Sequence, residues 1–236
     1  MKLDSKSRKV GLYEALKTRI LTLEMRPGED LDETALSEEF SLSRTPLREV
    51  FRQLAGEGYV DLRENRGARV SEMSHTTLRD FFLTAPMIYG AVLRLAAKNA
   101  RPDQIEELKA AQAHFRDVLR AGTGAERALA NNRFHDITGD MADNVYLTPS
   151  FQRLLIDHAR ISVTFYRPTD NSMAQNVSEA ADQHDQIIDA IEAGNENRAA
   201  ELAEDHWALS RDQIEVFVMP HGLDIPLGDL PRKTPA

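Results

Sequence analysis

Residues 31–70, LDETALSEEFSLSRTPLREVFRQLAGEGYVDLRENRGARV, decide the fold. They read as a helix, a tight turn, a second helix and a small β-hairpin. Asp32 is placed to cap the first helix, whose apolar marks are Ala35, Leu36 and Phe40. Ser41, Leu42 and Ser43 form the turn, with Leu42 as a buried peg between the helices. Ser43 is expected to cap the second helix, and Thr45 and Pro46 fall in its first turn. Leu47, Val50, Phe51 and Leu54 recur at helical spacing and make one apolar face. Gly56 and Gly58 end the helix. Residues 59–62 and 68–70 read as strands around a tip at 64–67.

The opposite face of that second helix is positive. Arg44, Arg48 and Arg52 stand four apart and line one side. Arg66 and Arg69 lie at or near the hairpin tip. A helix about 10–12 Å wide fits the major groove of DNA. Arginine both grips phosphate and reads guanine with two hydrogen bonds. A plain solvated basic face is the competing reading. Turn, cap, arginine spacing and wing occurring together favour DNA.

Residues 12–73 resemble the winged helix-turn-helix domain of the GntR family of bacterial transcription regulators. The matching residues are Leu16, Ile20, Pro27-Gly28, Leu31, Leu36-Ser37, the run SRTPLRE at 43–49, Leu54, Gly58 and RGARV at 66–70. The resemblance implies that Arg44, Thr45, Arg48 and Gly67 contact operator DNA. One branch of the family has a further Arg on the first motif helix, where this chain has Thr34.

The chain has 236 residues, 42% of them hydrophobic, enough for one large or two modest domains. It has no cysteine, which excludes disulfides and thiolate metal sites and fits a reducing cytoplasm. No stretch approaches the ~20 apolar residues of a membrane span, so no membrane partner is expected. The N-terminus lacks the apolar core of a signal peptide. Net charge is −9, unusual for a DNA binder. Residues 1–75 hold 13 Lys and Arg against 14 Asp and Glu, so the acidity resides mostly in the remainder. The positive charge of the first part is therefore expected to be concentrated on one face.

Taken in order, residues 1–10 read as an N-terminal arm and 11–74 as the winged helix-turn-helix domain, opened by a helix over 11–25. The pattern then predicts helices over 77–100, 103–121, 124–143, 147–168, 171–193 and 196–218. These would form one helical effector and metal-binding domain, 77–218. Pro86 predicts a kink in its first helix, and Gly139 another in the third. The Pro- and Gly-rich residues 219–236 read as a flexible tail. The fold class is thus mostly α, a winged helix-turn-helix followed by an all-α bundle.

Seven histidines are present, and three stand apart. His184 lies ten residues before Gly194 and His206 twelve after it. Both are therefore about 15–18 Å from the turn and level in an antiparallel pair. Both belong to core-facing stripes. His135 shares a helix face with Asn131. Three imidazoles and one oxygen can hold a divalent cation such as zinc, nickel or manganese. The bland alternative is three unrelated, hydrogen-bonded core histidines. Residues 77–218 look like the FCD ligand-binding domain of FadR-type GntR regulators. That family often carries an Asp-x-x-x-His pair and two later histidines as a metal site, which implies Asn131, His135, His184 and His206 here. Asn131 stands in place of the usual Asp. Family members often bind a small carboxylate against the metal, aided by an Arg on the first helix of this domain. That Arg is absent here, and Arg160 or Arg167 could replace it in binding the effector.

The expected protein is a ligand-responsive transcription regulator and a repressor. As a homodimer it would bind a palindromic double-stranded DNA operator and sense a small-molecule effector, because one recognition helix reads half a site. Rival readings are a metal-free sensor of an acyl or apolar ligand, a metal-dependent hydrolase and an architectural DNA binder without an effector. Against the hydrolase, no HExxH or comparable pairing of metal ligand with general base is present.

Overall fold

The computed structural model describes residues 5–64 and 67–218, with side chains to residue 211. Asn65, Arg66 and the stretch read as a tail lie outside the described residues. The chain opens with α1 (Ser5–Leu21), α2 (Glu33–Phe40) and α3 (Arg44–Glu57). The antiparallel hairpin β1 (Val60–Arg63) and β2 (Gly67–Val70) follows, with Val60 opposite Val70. Six helices complete it: α4 (His75–Asn99), α5 (Pro102–Ala121), α6 (Gly124–Ala142), α7 (Leu147–Phe165), α8 (Asn171–Glu192) and α9 (Glu196–Val218).

These six begin and end within three residues of the ranges the apolar periodicity predicts. α1 departs more. It starts at Ser5, inside the expected arm, and stops at Leu21 rather than at 25. Leu23 turns left-handed (φ 61°) and ends the helical run ahead of Pro27. α4 runs on through Pro86, and α6 through Gly139.

The caps of the helix-turn-helix come out differently from each other. The Asp32 carboxylate accepts from the backbone N–H of Thr34 and Ala35 (2.9 and 3.0 Å) as expected. Ser43 occupies the N-cap of α3 but makes no side-chain cap bond. Pro46, three residues after Ser43, lacks the N–H that a bond to the third helical position would use, so only the Thr45 N–H was open to such a cap. Leu42 is buried between the helices, as its place in the turn implies.

β2 has a second neighbour that periodicity did not reveal. Leu31 N–H donates to the Ala68 carbonyl (2.8 Å), and Val70 N–H to the Glu29 carbonyl (2.8 Å). Arg69 clamps this segment through both oxygens of Asp30 (2.7 and 3.0 Å).

α4 is the central helix of the bundle and packs on α6, α7, α8 and α9. Its mean hydropathy, 1.3 over the most apolar 18 residues, reaches that of a membrane span, which corrects the expectation that no stretch does. Its apolar side chains have another use here. Phe81, Tyr89, Val92, Leu93 and Ala96 are buried in one cluster with Ile187, Leu202 and Trp207.

Helix α7 joins the two parts. Its Ile156 and Ala159 are buried in the same cluster as Leu16, Leu47, Phe51 and Val60 of the winged head. Arg160, 1% exposed, donates to the carbonyl (3.0 Å) and hydroxyl (2.9 Å) of Ser71 in the linker. Asp157 accepts from Arg160 (3.3 Å) and from Arg153 (3.1 Å). Removing one partner of a buried charged pair is strongly destabilising. Arg160→Met should therefore lower the unfolding free energy by about 3 kcal/mol, read from the urea midpoint by circular dichroism.

Candidate metal centre and DNA-binding face

His135 projects from α6 one turn after Asn131, between Phe134 and Thr138, all buried. α8 and α9 form a hairpin around Gly194 (φ 65°), which brings His184 and His206 level. The ring centroids are 4.7 Å apart for His184 and His206, 5.2 Å for His135 and His184, and 5.4 Å for His135 and His206. One ring nitrogen from each lies within 4.8 Å of the others. The three imidazoles singled out in the sequence are therefore gathered in one place. The side-chain oxygen of the fourth residue, Asn131, accepts from the Tyr166 hydroxyl (2.8 Å) and keeps a second lone pair.

Two buried glutamines decide what these rings can do. The Gln112 side-chain oxygen faces His184 Nδ1 (3.1 Å), and that of Gln183 faces His206 Nδ1 (3.0 Å). An amide oxygen can only accept, so each Nδ1 carries the proton and each Nε2 keeps its lone pair. His184 Nε2 and both ring nitrogens of His135 are buried with no hydrogen-bond partner among the described residues. Unsatisfied buried polar atoms cost about 1–3 kcal/mol each, so three together need a reason. A divalent ion supplies one, and this donor set fits it: three neutral imidazoles gathered within reach of one ion, two of them with fixed tautomers.

Burial holds all these rings neutral, the form that ligates. The pKa of His206 falls to about 4 by burial. His135 and His184 are pushed well below the ordinary value by burial, and further by the neighbouring histidines.

A fourth histidine completes the chamber. His158 of α7 shares a 2.6 Å hydrogen bond between its Nδ1 and the Tyr89 hydroxyl, and its ring lies 4.9 Å from that of His135. Burial, followed by His206, pushes its pKa down to about 3. Sequence spacing carries the signal for these missed residues. His158 lies seven residues after Phe151 and three after Leu155, both core residues. Gln112 interrupts the apolar stripe of Leu108 and Phe115, a place an amide occupies only when bonded.

The structure sets neither expected effector arginine at this chamber. Arg160 lies two residues after His158, about 200° around α7, and grips Ser71 instead. Arg167 packs over Gly124, where an added Cβ would meet its Cγ at 2.5 Å. That contact is about 16 Å along α6 from His135. Arg116 is held onto α8 by Asp182 and Asp185 and by the Ala181 carbonyl, and its charge adds last to the lowering of the His184 pKa.

On the head, Arg44, Thr45, Arg48 and Arg52 are all exposed on one side of α3. Arg48 pairs with Glu33 of α2 (3.2 Å). Gly67 opens β2 with φ 77°, and an added Cβ there would meet the Glu33 carboxylate at 2.9 Å. Arg48, Arg52, Gly67 and the unanticipated Arg63 line one cleft of about 290 Å³ between α3 and the wing. Arg69 is turned back to Asp30. Arg66 lies outside the described residues.

The comparisons agree with this architecture. The model for the FCD domain matches residues 87–209, and the model for bacterial regulatory proteins of the gntR family matches residues 8–70. The chain belongs to the GntR family. Its FCD domain places it among regulators with a helical C-terminal part. This GntR protein is 29% identical over 199 residues to the HTH-type transcriptional repressor GlaR of Escherichia coli K12, covering 82% of this chain and 90% of that one. It is 28% identical over 184 residues to a probable D-xylose utilization operon transcriptional repressor of Paenarthrobacter nicotinovorans, covering 77% of each. Among solved structures it resembles E. coli McbR/YncC, with a TM-score of 0.71, 17% identity and coverage of 87% and 98%. A Rhodococcus regulator gives 0.67 and 18%, over 88% and 97%. The matched families and relatives are DNA-binding regulators, not enzymes, which sets the hydrolase alternative aside.

Depressed histidine pKa values make the metal-free fold acid-sensitive. In the unfolded chain these rings take protons near pH 6.5, whereas in the fold His206 does so only near pH 4. Their contribution is complete above about pH 7 and is lost as pH falls from about 6.5 towards 4. The Tm of chelator-treated protein should be flat above neutrality and fall steeply across that window. His184→Ala should flatten part of the slope.

Proposed function

We propose that this GntR regulator is a cytoplasmic repressor that binds a palindromic operator as a homodimer and is controlled by a divalent metal together with a small-molecule effector. The observation that carries the metal reading is the set of three orphaned imidazole nitrogens beside two tautomer-fixing glutamines. His135, His184 and His206 would ligate the ion, with Asn131 as oxygen ligand. Three neutral rings and a neutral amide leave the ion its full positive charge, which it offers to an anionic or polar effector. Tyr89 and His158 border that position and orient what enters. Names of relatives support repression, since two of them are described as transcriptional repressors.

On DNA, the exposed guanidinium groups of Arg44, Arg48 and Arg52 enter the groove, with Thr45 and the Gly67 backbone against phosphate. Arg69 serves the head's own structure through Asp30. α7 borders the histidine chamber through His158 and grips the linker through Arg160, so a shift at one end is felt at the other. An effector changes DNA affinity only by as much as it prefers one arrangement of the paired DNA heads over another.

Selection from random duplexes, followed by competition binding at moderate salt, tests the DNA reading. One preferred palindrome is expected, and no preference over random competitor would sink it. Arg48→Ala should weaken that complex by about 1–3 kcal/mol. Elemental analysis of protein purified without chelator tests the metal reading. Close to one ion per chain is expected, and a large loss in His184→Ala. Full metal content in that variant would exclude His184 as a ligand.

A further inference from the structure

A second cavity, of about 580 Å³, lies between the winged head and the bundle, away from the histidines. That volume is in the range of small-molecule sites. α1 and the end of α3 form one wall, and α6 and α7 the other. Its charged groups differ in what they already hold. Glu57 accepts from the Tyr13 hydroxyl (2.6 Å) and from Gln53 (3.2 Å). Asp136 accepts from Arg133 (2.8 Å). The Lys17 ammonium has no carboxylate partner among the described residues. It rests 5.0 and 5.5 Å from the ring centres of Tyr13 and Tyr59. Arg153 uses one nitrogen on Asp157 (3.1 Å) and keeps further donors. On the bundle wall, the Asn132 side-chain oxygen is buried without a partner.

We infer that this junction is a binding site for a small organic carboxylate with an apolar body. Asp136 is paired with Arg133, and Glu57, still charged, is hydrogen-bonded to Tyr13 and Gln53, whereas Lys17 has no carboxylate partner among the described residues and Arg153 has donors to spare; a ligand carboxylate would pair with these two cations. The apolar body would lie on Leu21, Leu155 and Ile156, which also line the cavity. An occupant touches the end of α3 and α7 at once, so its binding is coupled to the angle between them.

Gly56 gives a clean way to close the site. It lines the cavity, lies within α3, and an added Cβ meets nothing within 4 Å. Gly56→Leu therefore fills the space without strain and improves helix propensity. Monocarboxylates from acetate to octanoate, with benzoate, and the neutral benzamide are titrated by calorimetry into full-length, chelator-treated protein. At least one apolar carboxylate is expected to bind, and benzoate more tightly than benzamide. Lys17→Met should weaken the carboxylate about tenfold or more, and Gly56→Leu should abolish binding with Tm retained or raised. No binding by any carboxylate, benzamide binding as well as benzoate, or indifference to Lys17→Met and Gly56→Leu would each overturn the assignment.

Discussion

A guanidinium closed off from water holds the two parts of this protein in register. Arg160 gives two hydrogen bonds to Ser71, the first residue after the wing, and meets Asp157 on its own helix. Asp157 in turn holds Arg153, which lies across Gly58, the left-handed residue that stops α3. The end of the recognition helix, the exit of the wing and the body helix α7 therefore share one polar network inside an apolar seam of Ile156 and Ala159. Such a network is stable only in a narrow geometry, because each unsatisfied member would be costly. It makes the linker a joint with a defined seat rather than a loose tether.

The same helix explains how a bundle core can bear on a DNA head. His158 and Arg160 lie on nearly opposite faces of α7. One is bonded to Tyr89 at the chamber, the other to Ser71 at the joint. Packed interiors pass on displacement because they have little free volume to absorb it. Gly139 shows how close that packing is: an added Cβ there would meet the Phe151 ring at 2.7 Å.

Much of this was legible in the residues, and the failures have physical causes. Helix positions in the bundle followed from apolar spacing because each helix buries one stripe. The level placement of His184 and His206 followed from helical rise on either side of Gly194. Ser43 takes the N-cap position that the sequence predicts but not the cap bond, one of whose two possible donors Pro46 lacks. α1 began early because the residues before its apolar stripe face solvent and leave no periodic trace. The strand-like pairing of residues 28–31 with β2 uses backbone groups, which side-chain patterns do not report. Arg160 was read as a free cation because sequence shows charge and not burial. Spacing marks His158 as core-facing, but its place in the chamber needed the third dimension, since its partners Tyr89 and His135 lie on other helices.

Net charge of −9 and a DNA-binding head are compatible because most of the acidity lies beyond residue 75, and several acidic side chains of the head are turned onto its own arginines. Asp30 holds Arg69, and Glu33 holds Arg48 at the point where Gly67 lets the wing approach. The Glu33 carboxylate thus sits beside the arginine that a nucleic acid would engage. If Arg48 contacts DNA as proposed, a duplex would exchange with the Glu33 carboxylate at that one position, so the reward for touching phosphate there would be reduced.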